Sequence, residues 1–494
     1  MAFSDLREWI EQLEAAGELR RIKARVDWNE EIGAIVRRVF DLKERGPALL
    51  FEHIKDYEQG RCRRLFTASM GNYARIAMML GLPRETPVRE IILTVRSRVQ
   101  TPVPPVVVPR GPIKENVLRG SDVRILDFPV PKWHPKDGGR YVNTFCGIVT
   151  RDPEEGWLNV GLYRGMVVGQ RTISNALLAG KHWGIIYHKY RVRGEPMPVA
   201  VFYGCDPVLP FAACAPHQIR AGEYEIAGGL RGAPVELVRC ETSDLLVPAA
   251  AEIVFEGVVP PDPESYREEG PFGEFTGYYA GISTRRPVIE VQCITHRNDP
   301  IYQGTLEGGP INEDHRCSSI SMSALAWEAL ERNGIPGVRD VFCPPVGFAT
   351  SIRVQINKRY QGHARQVAAC LWGLNALTNY KLVTVVDDDV DIHDPDAMEW
   401  ALCYHVDPRE DIVVFPGCPG SPLDPSTDPE YQDPVKYGGG LWNRCLIDAT
   451  RTWRWGPRPE WDGKRFPPLI ELRPEVARLV RERWAEYGLP GPGA

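Results

Sequence analysis

Apolar residues recur at helical spacing from the start of the chain. Leu6, Trp9, Ile10 and Leu13 fall on one face of a helix that Ser4 can cap and Gly17 can close, and Ile32, Ile35, Val36 and Val39 mark a second helix from about Asn29. The apolar run Ala48–Ile54 predicts a strand, and Tyr73–Leu80 a further helix. Between residues 143 and 295 the texture changes to short runs rich in β-branched and aromatic residues, at 143–150, 157–168, 199–203, 235–238, 252–258 and 288–295. Gly/Pro turns separate them, which predicts a β-rich, barrel-like domain with a few inserted helices, and a loop or short helix over 218–232. Beyond Asp299 helical and extended patterns alternate. Ser318–Asn333 predicts a helix closed by Gly334, Ser351–Ile356 a strand, His363–Leu377 a helix, Lys381–Asp387 a buried strand and Ile412–Phe415 another, together an α/β domain. Pro474 suits the first turn of a last helix that carries Val476, Val480 and Trp484 on one face, a face suited to docking on a neighbouring subunit.

Composition adds boundaries to this pattern. Five prolines within Thr101–Pro112 predict a linker or strap at a domain boundary, and the Pro/Gly/Asp-rich stretch Pro416–Gly440 predicts a long loop able to cover a site. A length of 494 residues implies two or three domains. With 43% hydrophobic and 25% charged residues and a net charge of -6, the chain has the balance of a globular protein without a basic footprint for nucleic acid or anionic membrane. No apolar run approaches a spanning helix and the first residues lack a signal-peptide pattern, so a cytoplasmic protein is expected, whose partners are small molecules or copies of itself. The 12 cysteines contain no Cys-x-x-Cys and predict buried thiols in a reducing compartment.

Candidate chemistry centres on Glu269-Gly270-Pro271-Phe272-Gly273-Glu274, two carboxylates across a run that can continue neither a helix nor a central strand. Paired carboxylates in a pocket are an acid/base device, because two like charges cannot both ionise cheaply; a solvated surface turn is the plain alternative. Asn159, His182 and Glu223 supply an amide oxygen, an imidazole nitrogen and a carboxylate, a mixed set that suits Mn²⁺ or Mg²⁺ better than zinc. If Asn159–Arg164 is extended, Asn159 and Arg164 point to opposite faces, one toward a metal and one presenting a guanidinium that can grip a carboxylate or simply form a salt bridge. Asp387, Asp388, Asp389 and Asp391 close a strand and read as solvated acids rather than a metal site. Dinucleotide, P-loop, zincin and nucleophile-elbow motifs are absent from the sequence.

Four strings in order, Asn159–Arg164, Glu223–Gly232, Val247–Gly257 and Glu269–Glu274 followed by Gly277-Tyr278-Tyr279, resemble the UbiD family of prenylated-FMN-dependent decarboxylases. The resemblance extends to the Leu6/Trp9 helix and to Lys381 opening the Leu382–Asp391 strand. It implies reversible, non-oxidative decarboxylation of an aromatic, heteroaromatic or α,β-unsaturated acid. It also implies prenylated FMN supplied by a flavin prenyltransferase, with Mn²⁺ at the cofactor phosphate and K⁺ beside it. By position, Asn159, His182 and Glu223 would bind the metal. His182 is preferred to His188 for its closer spacing to Asn159. The cofactor would be held by Asn159, Gly161, Leu162, Tyr163, Arg164, Lys181, His182, Glu223 and Lys381, and Arg164, Glu269 and Glu274 would form the catalytic network.

The string Glu313–Ser318 would edge the substrate pocket through Asp314, His315 and Ser318, with His315 or Ser318 reaching a ring substituent; its polarity favours a hydroxylated or heteroaromatic acid. The implied architecture is α/β (α+β). Residues 1–112 form the N-terminal α/β part of a cofactor domain, 113–316 a split, flavin-reductase-like β-barrel, 317–334 a linking helix, and 335–494 a C-terminal α/β domain whose last helix associates subunits into a dimer or hexamer. A non-catalytic flavin- or metal-binding subunit and a metal-dependent hydrolase are the alternatives that the same residues leave open.

Overall fold

The computed structural model describes residues 3–488, apart from 178–179, 349, 375–379, 433–435 and 437–439. The first helix, Leu6–Ala15, buries the four predicted apolar residues and ends before Gly17 (φ +74°). Its cap is Asp5 rather than Ser4: the Asp5 carboxylate accepts from Glu8 N–H, whereas Ser4 donates to the Glu8 side chain. The second helix, Glu31–Asp41, starts later than Asn29, which forms a bridge to Lys132 instead. Leu19–Val26, Ala48–Ile54 and Arg64–Thr67 form a sheet whose fourth strand is the distant Ile301–Gln303. The N-terminal part is thereby closed by a segment that follows the barrel.

The strap Thr101–Pro112 lies across the middle of the molecule. Val106–Val107 pairs with Glu236–Arg239, which pairs in turn with Leu246–Pro248, so the predicted barrel strand at 235–238 belongs to a separate three-stranded sheet. The strap also crosses the helix Glu223–Arg231 at Gly228 and Gly229. A Cβ on Gly228 would sit 2.3 Å from Val103 O, and one on Gly229 2.6 Å from Thr101 O, so the paired glycines permit the crossing.

Two predicted strands of the middle region are each split in two. Tyr141–Asn143 and Gly147–Arg151 stand at opposite ends of a nine-stranded sheet, and so do Gly165–Gly169 and Leu158–Gly161. The chain therefore passes from one edge to the other twice, through residues 144–146 and 162–164. Links of three residues span only roughly 10 Å, so the two edges lie side by side and the sheet curls into a half-barrel. Asn159–Arg164 is thus not one extended stretch: the strand ends at Gly161, and the turn that follows delivers Arg164 into the split.

The linking helix runs over Glu313–Arg332, five residues longer at its start than predicted, and ends before Gly334 (φ +73°). Asn312 caps it in a box with His315, and the Glu313 carboxylate accepts from Ala68 N–H and Met70 N–H, both at 3.0 Å. The polar first turn reads as loop in the sequence because its side chains are buried for their partners, not for apolarity. The C-terminal sheet has the order Val338–Phe342, Ser351–Ile356, Leu382–Asp387, Leu441–Ala449, Ile412–Pro419. Its first and fourth strands, and the helix Pro395–His405, are additions to the predicted set. Leu441–Ala449 is disguised by Arg444 and Asp448, which face inward beside Trp442 and Leu446.

The helix His363–Trp372 stops at Gly373, short of the predicted end; residues 375–377 of that prediction lie outside the described residues. The last helix is Pro474–Glu482, with no buried residue, and Trp484 lies in the turn after it. The cysteines are unpaired and, Cys403 apart, buried or half-buried. No helix among the described residues is long and apolar enough to cross a membrane.

Because the Asn312 side chain also donates to Leu306 O (3.0 Å) and to Glu307 (2.9 Å), its removal unpins both the helix and the segment before it. Asn312→Ala is expected to lower unfolding stability by about 1–2 kcal/mol, measured by urea denaturation of the full chain; an unchanged midpoint would contradict this account of the cap.

Candidate active site

The half-barrel, the linking helix and the segment Pro419–Gln432 of the C-terminal part enclose a cleft of ≈2540 Å³. At the split of the barrel, Arg164 Nε and Nη2 donate to the two oxygens of Glu269, each at 3.0 Å, and Nη1 donates to Glu274. Tyr141 Oη donates to Glu269 Oε1 at 2.8 Å. Phe272 supports the cluster from below, its ring 4.3 Å from that of Tyr141 and 5.2 Å from the guanidinium carbon. Glu269 and Glu274 are 1% and 7% exposed, so the hexapeptide is a buried, shaped loop and not a solvated turn.

Glycine is required in this loop. Gly270 has φ +99°, and a Cβ on the facing Gly138 would lie 2.1 Å from the Gly270 carbonyl oxygen. Burial by itself would weaken Arg164 as a base, yet Glu274 and Glu269 outweigh it and raise the guanidinium above its ordinary value. Burial, with Glu269 adding to it, likewise raises Tyr141, so both remain proton donors at any physiological pH.

A second cluster lies along the same cleft. His182, the first residue of the helix His182–Arg193, places Nδ1 3.2 Å from Asn159 Oδ1 and 4.0 Å from Glu223 Oε1. His188 lies on the exposed side of that helix and is not brought to this cluster. Glu223 Oε2 accepts from Val160 N–H at 3.0 Å; burial pushes its carboxyl up to about 8, and Asn159 Nδ2 is buried without a partner. An amide, an imidazole and a buried carboxylate with no countercharge beside it fit a divalent cation. Among the described residues no group of three His, Cys, Asp or Glu side chains could hold a metal, so the fit rests on the Asn159 amide.

Gly161, Leu162, Tyr163 and Lys181 line the cleft between the two clusters. Tyr163 stacks on Trp183 at 4.9 Å, folded back over a Gly161 whose Cβ would otherwise meet its ring at 2.4 Å. Lys381 does not line the cleft. Its ammonium donates to Asp424 (2.7 Å) and Ser426 (2.5 Å), and so pins the loop that forms part of the cleft wall.

Of the three predicted pocket residues, only Asp314 reaches the cleft wall. His315 turns to Asn312 and to Phe275 O (3.0 Å), and Ser318 meets Cys214 (3.4 Å). Glu307 also lines the cleft and was not singled out from the sequence; a lone acid between an apolar strand and Gly308-Gly309-Pro310 is the signal that could have found it. Of the strand-closing acids of the C-terminal part, Asp388, Asp389 and Asp391 are exposed as expected and Asp387 is not. Asp387 is buried and accepts from Arg451 N–H (2.7 Å), and Asp389 takes the Arg451 guanidinium in two bonds, because a cation sits over that end of the sheet.

The family models for the 3-octaprenyl-4-hydroxybenzoate carboxy-lyase N-terminal, Rift-related and C-terminal domains match residues 10–94, 106–310 and 317–449. The chain belongs to the UbiD family of carboxy-lyases. An uncharacterised protein of Aquifex aeolicus is 35% identical, with 99% of each chain covered, and one of Archaeoglobus fulgidus is 35% identical over 98% of this chain and 99% of its own. Among solved structures, the closed form of Sedimentibacter hydroxybenzoicus vanillic acid decarboxylase is 31% identical, with a TM-score of 0.87 over 99% of this chain and 100% of that one. HmfF of Pelotomaculum thermopropionicum, solved with FMN, is 29% identical with a TM-score of 0.82, covering 98% and 100%. Klebsiella pneumoniae 3,4-dihydroxybenzoic acid decarboxylase is 27% identical with a TM-score of 0.80, covering 96% and 99%.

His315 provides a test of the electrostatics. Burial lowers its imidazole from 6.5 to about 4, so the folded protein keeps it neutral while the unfolded chain takes up a proton. Its contribution is complete above about pH 6.5 and is lost as pH falls toward 4, on the order of 3 kcal/mol in full. His315→Gln is therefore expected to gain on the natural chain as pH is lowered through this window, in denaturation midpoints from pH 7.5 to 4.5; a pH-independent gap would refute the buried neutral imidazole.

Proposed function

We propose that this protein is a reversible, non-oxidative decarboxylase of an aromatic or heteroaromatic acid, hydroxylated on the ring, working with prenylated FMN. The observation that carries the reading is the buried Arg164 guanidinium shared between Glu269 and Glu274 at the wall of a cleft large enough for a flavin and a substrate. HmfF, solved with FMN and in an evolved dimeric form with prenylated FMN, supports the cofactor. Asn159, His182 and Glu223 would hold Mn²⁺ at the cofactor phosphate, with K⁺ beside it, and the wall Gly161–Tyr163 with Lys181 would hold the cofactor itself. A flavin prenyltransferase would supply it in the cytoplasm. The exposed apolar residues Leu472, Leu479 and Tyr487 around the last helix suit self-association of subunits.

Bound prenylated FMN supplies the sink for the electron pair left when CO₂ departs. The chain's residues do the rest. Arg164 receives the substrate carboxylate, which competes with Glu274 for Nη1, and orients it for departure. Glu269, held by two guanidinium bonds and by Tyr141, keeps Arg164 in place. Glu274, freed by the exchange, carries the proton that replaces CO₂ on carbon; the reverse steps serve carboxylation. The buried wall excludes water from the reacting centre.

Co-expression with a flavin prenyltransferase, mass spectrometry of the bound cofactor and a CO₂-release screen over aryl and heteroaryl acids test the reading. Prenylated FMN with release from one acid is the expected result; no flavin under any condition, with Mn²⁺ still bound, would overturn it. Glu274→Gln is expected to abolish turnover and retain cofactor, whereas Glu223→Gln is expected to lose both Mn²⁺ and cofactor, read by elemental analysis and absorbance. Full activity in both variants would refute the assignment.

A further inference from the structure

The cleft wall carries two buried acids that the decarboxylation does not use. Glu307 follows the strand Ile301–Gln303, Asp314 is the second residue of the linking helix, and both line the cleft at 8% and 5% exposure. Glu307 Oε2 accepts from Asn312 at 2.9 Å, which fixes its rotamer. Asp314 Oδ1 is buried and has no hydrogen-bond partner among the described residues. The two carboxyls interact directly, and both feel Glu274. The nearby guanidinium of Arg164 is already engaged by Glu269 and Glu274.

Burial, with the neighbouring acids adding to it, raises both carboxyls well above the ordinary carboxylate range. A proton held between two carboxyls shifted in this direction lets one donate and the other accept. A buried carboxyl oxygen without a partner is costly unless a ligand group meets it. A phenolic hydroxyl is the complement of such a pair, since it donates one hydrogen bond and accepts others. An unsubstituted ring would leave Asp314 unmet, and a second carboxylate on the ring would be set against Glu274, Glu307 and Asp314 together.

We infer that Glu307 and Asp314 form the subsite that reads the ring substituent of the substrate acid, selecting a hydroxyl and rejecting a dicarboxylate. The inference rests on the decarboxylase reading for the presence of an aryl acid in the cleft, and deepens it by assigning specificity to two residues. Neither is a catalytic residue in the sense of Arg164 and Glu274: they meet the far side of the substrate.

The test uses the full chain reconstituted with FMN, which occupies the cofactor's place without turnover, and titration calorimetry with 3,4-dihydroxybenzoate, benzoate and terephthalate. 3,4-Dihydroxybenzoate is expected to bind at least about tenfold more tightly than benzoate, and terephthalate more weakly than either. Glu307→Gln and Asp314→Asn, both close in shape to the natural residues, are expected to cut the hydroxyl advantage several-fold, and Asp314→Asn to relieve the exclusion of terephthalate. Equal binding of 3,4-dihydroxybenzoate and benzoate, or an advantage that survives both substitutions, overturns the subsite. The three acids on the natural chain decide the matter if a variant fails to fold. CO₂ release by the prenylated-FMN-loaded enzyme separates the two levels. Release from benzoate with equal binding refutes the subsite and keeps the decarboxylase. The expected binding order with no release from any acid refutes the decarboxylase and keeps the subsite.

Discussion

The guanidinium of Arg164 is the charge on which the site depends. Two carboxylates as buried as Glu269 and Glu274 cannot stand side by side ionised without a cation between them. Arg164 answers with three nitrogens at once, two to Glu269 and one to Glu274. Because the guanidinium is planar and delocalised it can give up one of these bonds to an incoming carboxylate and keep the others, which a lysine could not. The same contacts that make the cluster stable in the absence of substrate therefore leave one bond exchangeable in its presence.

The backbone is arranged to deliver that side chain. The strand Leu158–Gly161 stops, the chain crosses the split of the half-barrel, and Gly165–Gly169 resumes on the opposite edge with Arg164 at the crossing. Asn159 stays on the first edge, close to His182 and Glu223. Glu223 is held from behind: its helix is pressed by the strap at Gly228 and Gly229, where any side chain would collide with the strap's backbone. Glycine thus works here by close approach of backbones, a role separate from the positive φ of Gly270 in the acidic loop.

Much of this was legible in the sequence wherever a local rule was being obeyed. The amphipathic first helix, the buried strand before Asp387 and the glycine that closes the linking helix follow from periodicity and caps, and the family's strings brought Arg164, Glu269, Glu274, Asn159, His182 and Glu223 into view. The readings that failed did so where tertiary partners override local pattern. The split of 143–150 and 157–168 each into two strands cannot be seen in residues that are extended on both sides of the break. Arg444 and Asp448 face the interior of a strand and so conceal it. The first turn of the linking helix looks like surface because it is polar, although Glu313, Asp314, His315 and Arg316 are all buried. The contact of Lys381 with Asp424 and Ser426 joins distant segments, and no local pattern announces it.

That same turn links separate parts of the molecule. Glu313 is bonded to the backbone of Ala68 and Met70, His315 to Phe275 O beside Glu274, and Arg316 to Glu44 (2.5 Å) with its guanidinium carbon 4.5 Å from the Tyr73 ring, while Asp314 faces the cleft. Successive positions on a helix point about 100° apart, so four consecutive residues can reach the N-terminal part at two places, the cleft and the acidic loop without competing. Farther along, the helix buries Ile320, Ala324, Trp327 and Leu330 in the core cluster it shares with the C-terminal sheet. A rigid rod whose first turn is bonded to Phe275, the residue after Glu274, and whose body is packed into the C-terminal part must move the one when it moves the other. The position of Asp314 in the cleft wall is therefore set by the packing of the whole helix, which is why a polar turn can be held to one geometry.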